Sequence, residues 1–74
     1  MTAKQIGAVV RTVRRAQGLR QDQLAAAAGV GVRFLVELER GKPTTQLGKT
    51  LAVLEVLGCR LDVTPPRRSA ESGS

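Results

Sequence analysis

The stretch from Leu19 to Gly41, LRQDQLAAAAGVGVRFLVELERG, leaves few folds open to a chain that contains it. Leu24, Ala25 and Ala28 share one face at helical spacing, which predicts a helix over about Gln21 to Ala28. Gly29 ends it, because a residue without Cβ can take the left-handed conformation that closes a helix. A second helix starts near Val32, with Gly31 as a weak N-cap. Val30 and Leu35 then stand at the N′ and N4 positions of a hydrophobic staple, which fixes the angle of entry. The small residues Ala25 to Ala28 allow the second helix to cross the first closely.

The second helix divides by spacing. Phe34, Leu35 and Leu38 form a core face. Arg33, Val36, Glu37 and Arg40 recur at i, i+3, i+4 and i+7 on the other side, with Val32 at the leading edge. Such a stripe carries the chemistry for base edges: arginine can bridge guanine, glutamate can accept from cytosine, and valine can meet a thymine methyl. Taken alone, it also fits an ordinary amphipathic helix whose charges only solubilise.

Charge favours the first reading. The chain has 12 Lys and Arg against 6 Asp and Glu, a formal charge of +6, and nine of its cations are arginines. That excess suits a polyanion, nucleic acid first and an anionic membrane surface second. The cations are spread rather than arrayed along one amphipathic helix, which weighs against the membrane. No segment approaches the ~18 apolar residues of a membrane span, and MTAKQIGAVVRTVRR is too polar for a secretory signal peptide. A cytoplasmic, nucleoid-associated protein is expected. Its 74 residues make one small domain, and a chain of that size buries only about 60% of its unfolded surface, so a partner chain would help it. The lone Cys59 forms no internal disulfide and fits a reducing compartment, as a small buried hydrophobe before a redox sensor. There is no histidine, tyrosine or tryptophan, and the only aspartates are Asp22 and Asp62. No catalytic residues, metal or cofactor are expected, and no enzyme.

Upstream, Thr2 and Gln5 form a capping-box pattern, Ile6, Val9, Val10 and Val13 make an apolar stripe, and Gly18 ends the first helix before Leu19 enters the core. Arg11, Arg14 and Arg15 lie on or near its outer side. Arg11 and Arg15 read as solvated residues or as contributors to the positive field; Arg14 is open to a phosphate contact or a structural pair. Gln23 can be simple decoration of an exposed first turn. Downstream, Gly41 closes the third helix, and Arg40, Lys42, Thr44 and Thr45 can reach phosphate oxygens. Thr44 or Thr45 is also the N-cap candidate of a fourth helix over Gln46 to Leu57, closed by Gly58.

In that fourth helix Leu47, Leu51 and Leu54 are the expected core stripe. Six of the seven residues from Leu51 to Leu57 are apolar, so Ala52, Val53 and Val56 are left over for a second chain. Cys59 to Thr64 alternates as a strand does, and pairing with its own copy about a two-fold axis would satisfy its backbone. The alternative is an ordered but unpaired segment. Residues 65–74, PPRRSAESGS, are expected to be disordered.

A short glycine turn between two such helices is a helix-turn-helix pattern. The run GLRQDQLAAAAGV, six or seven helical residues and then ERG resemble the Xre/Cro-like phage-repressor superfamily over residues 18–41. The continuation ERGKPTTQLGKTLAVLEVLG and the alternating stretch after it are similar to HipB-like antitoxins, over about residues 5–64. The resemblance implies an all-α, phage-repressor-like domain of four helices over 1–64, with one short C-terminal strand pairing across a homodimer. It implies a two-fold-symmetric double-stranded DNA operator, repression of the protein's own operon, and neutralisation of a HipA-like kinase toxin. Base readers would be Val32, Arg33, Val36 and Glu37. Backbone contacts would come from Arg20, Gln21, Arg40, Lys42 and Thr44, and the dimer interface from Val53, Val56, Cys59, Leu61 and Val63. Arg14 would pair with Glu39. Two residues depart from the pattern, because Arg20 and Gly31 stand where capping Ser or Thr are usual. A stand-alone phage-type or restriction-control repressor is the nearest rival, and a protein-interaction module without DNA binding is another.

Overall fold

A computed structural model describes residues 2–43 and 46–62 of the chain. Four helices follow one another: α1 (Ala3–Ala16), α2 (Gln21–Ala28), α3 (Val32–Glu39) and α4 (Leu47–Leu57). The Thr2 hydroxyl accepts from the Gln5 amide at 3.1 Å while the Gln5 side chain accepts from the Thr2 amide at 2.8 Å, a complete capping box. At α2 only half of one forms. Gln23 Oε1 accepts from the Arg20 amide at 2.8 Å, and an arginine side chain has no acceptor with which to return the bond. Gln23 therefore has a structural task.

Gly29, at φ 71° and ψ 30°, turns the chain between α2 and α3. Its amide donates to the Ala26 carbonyl at 3.2 Å and that of Val30 to Ala25 at 3.0 Å, the paired bonds that seal a helix end in the left-handed closure. The same closure ends α3, where Gly41 donates to Leu38 and Lys42 to Glu37. Val30 packs against the core cluster that includes Leu35.

Val10, Leu24, Leu35 and Val53 are wholly enclosed, joined by Ala25, Leu38, Leu54 and Leu57. α1 lies against α3 and α4, and α2 against α3 and α4. The α1–α3 approach is very close at Gly7. A Cβ there would fall on the carbonyl oxygen of Leu38 and 2.9 Å from that of Glu39. Phe34, expected in the core, sits half-buried at its edge, with the Lys49 ammonium 5.6 Å from its ring centre.

α4 is rotated from the expected face. Thr50, Val53, Leu54 and Leu57 point inward, whereas Leu47 and Leu51 are 59% and 42% exposed. Of the expected stripe only Leu54 is core. Val53, assigned to a dimer interface, instead fills the protomer's own core at 0% exposure. Periodicity cannot choose a face on a helix that is apolar nearly all round, so the space between α1 and α2 chooses it. Thr50 tolerates burial because its hydroxyl donates to the Gln46 carbonyl at 3.3 Å. Gln46 itself occupies the N-cap position, and the cap candidates Thr44 and Thr45 lie outside the described residues.

Among the described residues there is no strand. Cys59 to Asp62 carry no regular structure, and Val63, Thr64 and the 65–74 tail lie outside the described part. Cys59 packs against the core, half-buried, with a free thiol.

Candidate nucleic-acid interface

α3 presents Val32 and Arg33 to solvent; the Arg33 side chain is 93% exposed. Val36 and Glu37 are half-buried further along the same helix. Glu37 is not a free acceptor. Lys42 Nζ donates to its Oε2 at 3.1 Å, and Arg33 Nε stands 3.9 Å from the same oxygen. Both pairs are solvent-exposed and so individually weak. Together they hold two cations and one acid along the surface that α3 offers.

Beneath that surface lies the ion pair of Arg14 and Glu39. Arg14 Nε donates to Glu39 Oε2 at 2.6 Å and Nη2 to Oε1 at 3.1 Å, with the side chains only 9% and 5% exposed. A third donor, Nη1, reaches the Leu19 carbonyl at 2.7 Å. Hydrogen bonding to Glu39, aided by its charge, raises the Arg14 pKa further above its ordinary value, against the opposing pull of burial. Gln21 Nε2 adds a bond to Glu39 Oε1 at 3.2 Å. Glu39 thus ties the start of α2 and the end of α1 to the end of α3. No buried side-chain polar atom among the described residues lacks a partner.

Around this pair opens a cleft of about 510 Å³, lined by Arg11, Arg14, Arg15, Arg20, Gln21, Val36, Glu39 and Arg40. Arg20 is exposed and shares a 3.1 Å pair with Asp22, which draws the Asp22 pKa below its ordinary value through that hydrogen bond. Arg11, Arg15 and Arg40 are exposed and have no carboxylate partner among the described residues. The cleft therefore gathers three of the residues assigned to the backbone, Arg20, Gln21 and Arg40, beside the base-edge candidate Val36. Lys42 stands apart with Glu37, and Thr44 lies outside the described residues. The sequence alone reads Arg11 and Arg15 as solvated residues or contributors to the positive field; their i, i+4 spacing on α1 is the available sign that they share a face. No three metal-ligating side chains converge among the described residues.

Two short helices joined by a glycine turn, the second exposing arginine and valine beside an arginine cleft, define a helix-turn-helix domain. The comparisons agree. A family model described as helix-turn-helix matches residues 10–63, and the chain belongs to that family. It is also 60% identical over 65 residues to the uncharacterized HTH-type transcriptional regulator y4mF of Sinorhizobium fredii (strain NBRC 101917 / NGR234), covering 88% of this chain and 86% of the relative.

Proposed function

We propose that this chain is a DNA-binding transcriptional regulator that acts as a homodimer on a two-fold-symmetric operator and represses its own promoter. The observation that carries the proposal is the α3 surface. Arg33 is almost wholly exposed, Val32 and Val36 flank it, and the arginine cleft begins at Val36. Base contacts from α3 supply sequence preference, and the arginines around it supply affinity through released counterions. The relative's name as a transcriptional regulator supports the regulatory role. The protein has no enzymatic activity of its own in this proposal and works in the cytoplasm; no helix among the described residues is long and apolar enough to cross a membrane.

Dimerisation is supported by a second surface. Val9, Leu51, Val56 and Leu61 are all exposed, and Ile6, Val9, Leu54, Cys59, Arg60 and Leu61 line a mainly apolar groove that shares no residue with the arginine cleft. A two-fold dimer would set two recognition helices about one DNA turn apart, ~34 Å. The antitoxin role rests on the resemblance of residues 39–58 and the alternating stretch after them to HipB-like proteins. A HipA-like kinase is the proposed partner, and co-purification with the product of a kinase-like neighbouring gene tests it.

The test of DNA reading is selection of bound sites from a random duplex pool, followed by mobility shift. Arg33→Ala should lose ~1–3 kcal/mol of affinity for the selected site and relax preference at one base pair per half-site. An Arg33→Ala protein that keeps full preference overturns the assignment of α3 as the reading surface.

A further inference from the structure

We infer that Arg11 and Arg15 of α1 join Arg20 and Arg40 in binding duplex phosphodiesters, carrying the DNA contact from α3 onto the flanking backbone. The inference rests on the DNA-binding proposal and adds to it a second, sequence-independent contact surface on α1.

The first observation is convergence. Four exposed guanidinium groups from three separate elements line one open cleft of about 510 Å³: Arg11 and Arg15 from α1, Arg20 from the start of α2, and Arg40 from the end of α3. The second is the absence of compensation. The acid lining the cleft, Glu39, is already bound by Arg14 and Gln21. Arg11, Arg15 and Arg40 have no carboxylate partner among the described residues. Like charges at i, i+4 on a helix repel, so Arg11 and Arg15 hold an arrangement that an anion between them would relieve.

A bland account covers only part of this. Arg15 lies in the last turn of α1, where the helix dipole favours a cation. Arg11 is a full turn earlier, beyond the reach of that effect.

The third observation is position. Val36 belongs both to the α3 stripe and to the wall of the cleft, so a duplex lying along α3 brings its backbone over the arginines. The guanidinium fork matches a phosphodiester, with two parallel N–H donors to two oxygens. The cleft is otherwise polar, with Val36 as its apolar member, which suits the sugar-phosphate strand better than a base.

The test is a salt titration with a labelled duplex of mixed sequence, read by fluorescence anisotropy, so that no operator need be known. Each phosphate contact adds about 0.9 to the slope of log affinity against log salt. Arg11→Ala/Arg15→Ala should therefore flatten the slope by about two units per bound protomer, with sequence preference on selected sites unchanged. Arg11→Lys/Arg15→Lys, which keeps the charge, should restore the slope. A slope within about half a unit of wild type in the alanine pair overturns the inference, as does an equal fall in the lysine pair. Failure of the DNA-reading proposal looks different: the wild type would show no preferred sites at all, whatever the alanine pair does to the slope.

Discussion

Replacing Arg14 by methionine keeps most of the aliphatic stem and removes the guanidinium from beneath the cleft. Glu39 is then left 5% exposed, with the Gln21 amide at 3.2 Å as its remaining donor, and the Leu19 carbonyl loses its 2.7 Å bond. Breaking one side of a buried ion pair costs about 3–5 kcal/mol, because the surviving charge stays in the interior. A domain of this size has a total stability of roughly 3–9 kcal/mol at ~0.05–0.15 kcal/mol per residue. The variant should therefore be largely unfolded or close to it. Glu39→Gln, which strands the arginine but preserves shape, should lose less, and the double variant Arg14→Met/Glu39→Leu should recover part of the loss, since an apolar pair carries no desolvation penalty. The assay is urea unfolding followed by helical circular dichroism; the chain has no tryptophan or tyrosine to report by fluorescence. A double-mutant cycle of Arg14→Met, Glu39→Leu and the two combined should give a coupling of about 2–3 kcal/mol, the upper part of the range for residues in direct contact. A coupling below ~0.5 kcal/mol, the level of independent sites, would refute the reasoning.

The exposed pairs of Glu37 lead to two outcomes. Lys42→Ala should weaken binding to all duplexes about equally and flatten the salt slope by about one unit. Glu37→Gln should strengthen mixed-sequence binding by a few-fold, on the scale of ~0.5–1 kcal/mol for an exposed pair released, while losing preference at the base pair it is proposed to read; equal affinity for mixed DNA in that variant would remove Glu37 as a restraint on Arg33 and Lys42. Gly7→Ala should destabilise the fold by about 1–3 kcal/mol or more, since its methyl group meets the Leu38 and Glu39 carbonyls, and a thermal midpoint equal to wild type would show that α1 can shift freely. A chain truncated after Gly58 should sediment as a monomer at micromolar concentration and bind the selected site weakly; a truncated dimer with normal affinity would remove residues 59–64 from the interface.

What could be read from the sequence was what local chemistry decides. The Thr2–Gln5 cap, the Gly29 turn and the left-handed closure at Gly41 each depend on residues within a few positions of one another, so α1, α2 and α3 carry their own instructions. α4 carries no such instruction about its face. With six of seven consecutive residues apolar, a stripe through Leu47 and Leu51 and one through Val53 and Leu57 fit the pattern equally well. Only the gap between α1 and α2 selects between them, and that gap is a tertiary fact. Val53 moved from an imagined interface into the core for this reason. Gly7 gave no sign at all, because its partners are backbone carbonyls of another helix. Arg11 and Arg15 could be placed on one face but not beside Arg20 and Arg40, whose approach depends on how α1 crosses α3.

The ionic layer under the cleft explains why fold and binding surface are not separable here. An unpaired glutamate at position 39 would set a negative charge under the place where a phosphate is proposed to sit, and would repel it. Arg14 cancels that charge from below, and because it is buried and bound at three of its nitrogens it cannot swing out to compete with Arg11, Arg15 or Arg40 for the ligand. Glu39 meanwhile accepts from Gln21 at the start of α2 and so ties α2 to α3 beside the surface proposed to meet DNA. The acid that looks least suited to the proposed polyanion site is thus the residue that ties together the elements framing it. Glu39→Gln should accordingly affect more than stability: its single remaining acceptor oxygen has to serve both Arg14 and Gln21, so with the fold still intact at low temperature the weaker tether on Gln21 should reduce affinity for selected sites more than for mixed DNA, because only the former depends on how α3 is aimed. Equal losses on both would mean that Glu39 serves the fold alone.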